Sequence, residues 1–380
     1  MTILDRERQT LEKLLPGFDA TLARHSLDEL ERPDGSAIRL LRNTRGSALL
    51  VPLDCQGLGA TPNVAVQVQR AIGARAPSLA VATAMHHFSV GTLLQYSLYD
   101  EVGKSMLALV ASEGWLVASG FAEGRPAGSV LDAHVKAEWT GSAYRLKGSK
   151  KPCSLSRSMD LLSAGVVVTR NDALPTRGVV VVPGNAAGLQ RKPFWNSPIL
   201  AATESDELIL DGVEVPEDMV LTLQGGGQDI HAIEIGGLCW FTLLISASYL
   251  GIASGLVERM LVARKGSDYE RVIIVQELEG AMSALEGLAA RIAEGTLDRD
   301  LLSHAQLVKY AVQDAIERAT VRAVEVLGGL NFIRNPDVSY LFAASRALAF
   351  HPPARSASVP ALASALQSVE QPREATHVAA

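Results

Sequence analysis

HVKAEWTGSAYRLKGSKKPC, residues 134–153, is where the chain changes period. Val135, Ala137 and Trp139 fall on one face, and His134, Lys136, Glu138 and Thr140 on the other. That alternation belongs to a half-buried strand. Gly141-Ser142 turns the chain, and Tyr144 and Leu146 then alternate with Arg145 and Lys147. The pattern predicts a hairpin. Two Val-rich runs follow, LLSAGVVVTR (161–170) and RGVVVVPG (177–184), and ELILDGVEVPEDMVL (207–221) closes the block. A β domain is expected over 114–225.

Outward from this block the period is helical on both sides. Leu11, Leu14 and Leu15 recur at helical spacing, and a long run rich in small residues leads from Ala60 past Phe88. VPLDCQGLG (51–59) is a loop by its Pro and Gly content. On the far side, residues 277–294 and 301–327 repeat as amphipathic helices, the second stopping at Gly328-Gly329. A further helix, 340–350, is stopped by Pro352-Pro353. The expected class is α+β: an N-terminal helical domain (1–113), the β domain (114–225) and a C-terminal helical bundle (226–368). The polar tail, 369–380, is expected to be disordered.

Composition narrows the function. The chain has 380 residues, 48% apolar and 20% charged, so a large core forms without disulfide or metal staples and disorder is excluded as the main state. Lys+Arg 35 against Asp+Glu 41 leaves a net charge of −6, which disfavours nucleic acid as a partner. Cys55, Cys153 and Cys239 are odd in number and form no CxxC pair, so neither a disulfide framework nor a metal site is indicated. With no apolar leader in MTILDRERQTLEKLL, a cytoplasmic location is expected. Residues 236–257 (GGLCWFTLLISASYLGIASGLV) carry no charge and are long enough to cross a bilayer. Their glycines, serines and acidic neighbours Glu234 and Glu258 suit a helix buried on all sides equally well, and no membrane span is expected. The small residues Ala247, Gly251, Ser254 and Gly255 permit close helix approach, which suggests a homodimer or homotetramer.

Six stretches, in order, resemble the acyl-CoA dehydrogenase family. VPLDCQGLG resembles that family's N-terminal loop, GFAEGRPAGS (120–129) its TEPGAGS loop, and LKGSKKPCS (146–154) its GxKxWIT strand. DGVEVPEDMVL is similar to the end of its β domain, and GIASG (251–255) and VLGGLNF (326–332) to motifs of its four-helix bundle. The resemblance implies that fold, FAD as cofactor, and an acyl thioester of CoA or a carrier protein as substrate. It places Phe121 and Ala122 backbone groups, Ser129, Pro152 and Ser154 at the flavin, with Pro152 where the family has an aromatic wall. Arg264 or Lys265, Gln276, Glu325, Gly328 and Gly329 match positions that hold the adenosine half, partly across a subunit boundary. Cys153 reads as a small buried hydrophobe.

One family feature is missing. The glutamate that removes the α-proton stands after the last bundle helix, and here that text is AFHPPARS, with no Asp or Glu anywhere in 338–369. The alternative site on the first bundle helix falls near Phe241, with Glu234 two turns away. His351 is the candidate base, since imidazole titrates near neutrality; it equally suits a packing role before the prolines. His86-His87 form a second candidate. Three functions stand open: a flavin-dependent dehydrogenase of an acyl thioester passing electrons to an acceptor protein, a monooxygenase using reduced flavin from a flavin reductase, or a non-catalytic partner subunit. The first is the main expectation and the second its alternative.

Overall fold

The computed structural model describes residues 3–124, 133–171, 173–222, 227–295 and 297–367. Ser129, expected at the flavin, and the tail beyond residue 367 lie outside the described residues.

Seven helices come first: α1 (Asp5–Leu14), α2 (Phe18–Ala23), α3 (Leu27–Leu30), α4 (Ser36–Arg42), α5 (Pro62–Arg75), α6 (Pro77–Tyr96) and α7 (Glu101–Glu113). Their ends follow local chemistry. Ser26 and Glu29 make a capping box at α3, and Thr61 caps α5 with Pro62 in its first turn. Gly114 ends α7 in the left-handed conformation, φ 67°, that glycine adopts without strain. Strands β1 (Val117–Gly120), β2 (Lys136–Trp139), β3 (Tyr144–Cys153), β4 (Leu161–Thr169), β5 (Thr176–Pro183), β6 (Leu189–Lys192), β7 (Asp206–Val215) and β8 (Val220–Leu221) form one sheet in the order β6-β7-β3-β2-β4-β5-β8, with β1 parallel to β4. The β2–β3 hairpin has the register its pattern implies, Ala137 opposite Leu146 and Trp139 opposite Tyr144.

The last helices are α8 (Gly227–Val262), α9 (Asp268–Ala293), α10 (Arg299–Leu327), α11 (Gly329–Arg334), α12 (Pro336–Ser345) and α13 (Arg355–Gln367). Helical parts therefore flank a central sheet, as expected. Two details differ from the sequence reading. Helix α9 starts at Asp268, because Ser267 and Glu270 form a capping box ahead of the amphipathic stretch. Beyond the Pro pair the chain does not end its helices but forms α13.

Helix α8 is the axis of the molecule, packing on α5, α6, α9, α10 and α12. Its apolar stretch is 94% buried, so it is a core helix. The small residues on it do not face a neighbouring subunit. A Cβ on Gly251 would lie 2.3 Å from the Arg70 carbonyl oxygen, and one on Gly255 2.6 Å from that of Ala74. The close approach they permit is between α8 and α5 of the same chain, which removes that argument for an oligomer.

Candidate functional site

A cavity of about 240 Å³ opens where α6, the sheet, α8 and the turn after α12 meet. The strand ends contribute Ser119, Phe121, Ala122, Pro152 and Ser154, and the β6–β7 connection contributes Trp195, Thr203 and Ser205. Helix α8 turns Glu234, Leu238 and Phe241 toward it, three and four residues apart as one helical face requires, and Tyr249 two turns further on. Phe350, His351 and Pro352 close it from the C-terminal side. Phe88 of α6 stacks obliquely on Phe121 and edge-on to Phe241, at ring separations of 5.1 and 5.5 Å, joining the three layers.

The residues expected at a flavin ring thus meet in one place: Phe121, Ala122, Pro152 and Ser154, with His351. The Ala122 carbonyl accepts from the Lys151 N–H at 2.9 Å, and its own N–H has no protein acceptor among the described residues. Ser154 Oγ lies 3.0 Å from Ser205 Oγ, which lies 2.7 Å from Thr203 Oγ1, a chain of three hydroxyls along the wall. Trp195, which sequence reading overlooked, supplies an aromatic surface in a cavity where Pro152 supplies none. Its indole N–H donates to the Ile199 carbonyl at 2.9 Å, which holds the ring.

The other expected cofactor residues are elsewhere. Arg264, Gln276, Glu325 and Gly329 are exposed, Gly328 is half-buried, and none lines the cavity. Arg264 lies at the α8–α9 turn, which meets the end of α10 that carries Glu325, a Cβ on Gly266 reaching within 2.8 Å of Val326, and Gln276 lies further along α9. Within one chain, this group and the cavity are separate.

His351 presents its ring to the cavity with Nε2 2.8 Å from the Tyr249 hydroxyl. Nδ1 has no hydrogen-bond partner among the described residues. Burial, reinforced by the nearby Lys309 ammonium, lowers its pKa to about 3. The imidazole is therefore neutral where an ordinary histidine titrates, near pH 6.5. Burial raises the Tyr249 hydroxyl well above its ordinary value, so it stays protonated.

The second base candidate fails on geometry. His86 Nε2 donates to the Ser47 carbonyl at 2.8 Å while Nδ1 accepts from Val117 N–H at 2.9 Å, and burial lowers its pKa to about 4. Neither His86 nor His87 lines the cavity. Cys153 is buried, its thiol donating to the Ser119 carbonyl at 3.4 Å and its pKa pushed up to about 12 by burial, so it is the inert hydrophobe expected.

Glu234 corrects the sequence reading in the other direction. Two turns before Phe241 is still the same face of α8, and its carboxylate reaches the cavity wall, the single acidic side chain there among the described residues. Arg177 lies 3.6 Å away, and burial raises the carboxyl's pKa.

The chain is 38% identical over 371 residues to isobutylamine N-hydroxylase of Streptomyces viridifaciens, covering 95% of this chain and 97% of the relative. The chain belongs to the isobutylamine N-hydroxylase family. A dibenzothiophene monooxygenase of Rhodococcus erythropolis is 28% identical over 244 residues, 60% of this chain and 56% of the relative. Among solved structures, FMN-bound TdsC from Paenibacillus sp. A11-2 superposes with a TM-score of 0.82 at 20% identity, over 97% of this chain and 98% of that one. No protein-family model matches. The N-hydroxylase family thus shares the acyl-CoA dehydrogenase-like fold, and the chain is an oxidoreductase. Dehydrogenation of an acyl thioester, the main sequence expectation, is not supported, and the monooxygenase alternative fits these relatives better.

Proposed function

We propose that the protein is a reduced-flavin-dependent monooxygenase that hydroxylates the nitrogen of a small aliphatic amine. The observation that carries the reading is His351. Where an α-proton acceptor would stand as a carboxylate, the cavity offers an imidazole held neutral beside a protonated phenol. An imidazole this weakly basic is poorly matched to a carbon acid. It is well matched to an amine, which must be neutral at nitrogen to attack oxygen and needs only a partner for its N–H. In the tautomer whose Nε2–H donates to the Tyr249 oxygen, the Nδ1 lone pair accepts that N–H.

The wall suits a flavin ring. Trp195 gives it a face, the Ala122 N–H a donor at its edge, and Ser154 a hydroxyl. A reduced flavin bound there supplies the electrons that activate dioxygen. The apolar surround of Phe88, Leu238 and Phe241 excludes water from the reacting nitrogen. Glu234 attracts the ammonium form, which releases its proton to solvent as it enters the apolar cavity. Since the residues expected for an adenosine half lie outside this wall, the choice of FMN or FAD is read by releasing the flavin with heat and comparing it with both standards.

The test is direct. Supplied with flavin, a flavin reductase, reduced nicotinamide and air, the protein is expected to convert isobutylamine to its hydroxylamine. Flavin bleaching by an acyl-CoA without oxygen, with no hydroxylamine formed, would overturn the reading. Glu234→Gln is expected to raise KM for the amine several-fold with kcat little changed.

A further inference from the structure

Lys309 sits on α10, far in sequence from every cavity residue it affects. Its side chain is 1% exposed, and no carboxylate lies within ion-pair distance of it among the described residues. A buried ammonium without a counter-ion costs several kcal/mol unless its protons are matched by acceptors. Here they are matched by main-chain carbonyls of one short segment. Nζ lies 2.5 Å from the His351 oxygen, 3.1 Å from that of Pro353 and 3.4 Å from that of Pro352. An ammonium has three N–H donors and no acceptor, so the three oxygens are what it is built to hold. The adjacent Tyr310 hydroxyl donates to the Pro353 carbonyl at 3.1 Å.

We infer that Lys309 is a positioning residue that clamps the His351–Pro353 main chain and so holds the His351 ring in the cavity against Tyr249. Two prolines follow His351, so its segment offers no N–H at 352 or 353 for a regular ladder, and Lys309 is the partner of the His351 and Pro352 carbonyls while sharing that of Pro353 with Tyr310. The clamp satisfies them and ties the segment to α10. Tyr249 on α8 and Lys309 on α10 then grip the residue from ring and backbone. Among the described residues, the charged and titratable groups around the ring are these two, with Glu234 and Tyr96 in the same cavity wall.

This inference rests on the proposed use of His351, and the experiment separates the two. Lys309→Met, Lys309→Arg, Tyr310→Phe, His351→Gln and Lys309→Met/His351→Gln are made in the full chain and assayed with isobutylamine. Ring-nitrogen NMR of ¹⁵N-histidine protein, with His351 assigned from the glutamine variant, reads ring placement whether or not activity is seen. Lys309→Met is expected to move the His351 resonances and to lower kcat about tenfold or more, since a misplacement of about 1 Å costs up to about 10²-fold. KM should change little, Lys309→Arg should recover part of the rate, and the double variant should be no slower than His351→Gln alone. A folded Lys309→Met with unmoved His351 resonances overturns the clamp. Moved resonances in Lys309→Met, with wild-type rates in both Lys309→Met and His351→Gln, overturn the use of His351 instead. If Lys309→Met does not fold, Tyr310→Phe decides: the same resonance shift, smaller, supports the clamp, and none overturns it.

Discussion

His351 shows how much a residue's chemistry depends on what encloses it. An exposed histidine titrates near neutrality. This one is enclosed beside Tyr249 and Lys309, and both burial and the like charge disfavour the imidazolium. The pH dependence of turnover follows from the sign of that shift. Because the folded pKa is far below the ordinary value, His351 contributes no fall in kcat between pH 8 and pH 5. His351→Gln is expected to slow hydroxylation by about 10²-fold, the usual order for loss of a positioned proton partner. Its log kcat profile should run parallel to that of the wild type over the same range. A wild-type acid limb near pH 6.5 that vanishes in the glutamine variant would show the imidazole to be far more basic than its enclosure requires.

At the scale of elements, the decisive contact is α8 against α5. Gly73, Gly251 and Gly255 let the two backbones approach until a Cβ on any of them would overlap a carbonyl oxygen of the facing helix. Gly251→Ala is expected to destabilise the fold by about 1–3 kcal/mol, the range for overpacking a close contact. Gly280 on α9 is the control, since a Cβ there meets nothing within 4 Å. Gly280→Ala should be neutral or stabilising by up to about 1 kcal/mol, from helix propensity alone. Thermal melts of the two variants check both signs at once. Because Glu234, Phe241 and Tyr249 ride on α8, a shift in its seating also changes the cavity, so Gly251→Ala should lower activity and Gly280→Ala should not.

The whole molecule keeps buried histidines neutral, and that makes its stability depend on pH. His87 is enclosed, its Nδ1 has no partner among the described residues, and burial lowers its pKa well below 6.5. Below pH 6.5 the unfolded chain binds a proton there that the folded chain refuses, so this contribution to stability is present above 6.5 and lost as pH falls. Replacing it by a side chain that does not titrate removes the loss. His87→Leu should gain stability relative to wild type between pH 7 and pH 5, by at most about 2 kcal/mol, the ceiling set by about 1.4 kcal/mol per unit below 6.5. Urea unfolding of both proteins at the two pH values measures it. The molecule also carries exposed apolar side chains at one end, Val262, Tyr269, Val272, Leu330 and Ile333, beside the residues first expected to meet a neighbour's cofactor. Light scattering at micromolar concentration is expected to give a dimer or larger, and Leu330→Asp with Ile333→Asp to reduce it to a monomer. A monomeric wild type would remove the expectation of an assembly.

What the sequence determined by itself was what depends on local periodicity. The switch between period two and period 3.6 separates strand from helix residue by residue, so the order of helices, sheet and helices, and the β2–β3 register, were legible before any coordinates. So were the inert Cys153 and the lack of any Asp or Glu in residues 338–369. Which residues share the cavity depends instead on packing between elements. Residues 236–257 of α8 are apolar on every side, so they have no polar stripe to say which face looks inward. The helix is turned to its final angle by glycine contacts with α5, and that rotation brings Glu234 and Tyr249 to the cavity. The partners of His351 are remote for the same reason: Tyr249 lies 102 residues away along the chain and Lys309 42. No local pattern links residues so far apart; packing across the bundle does.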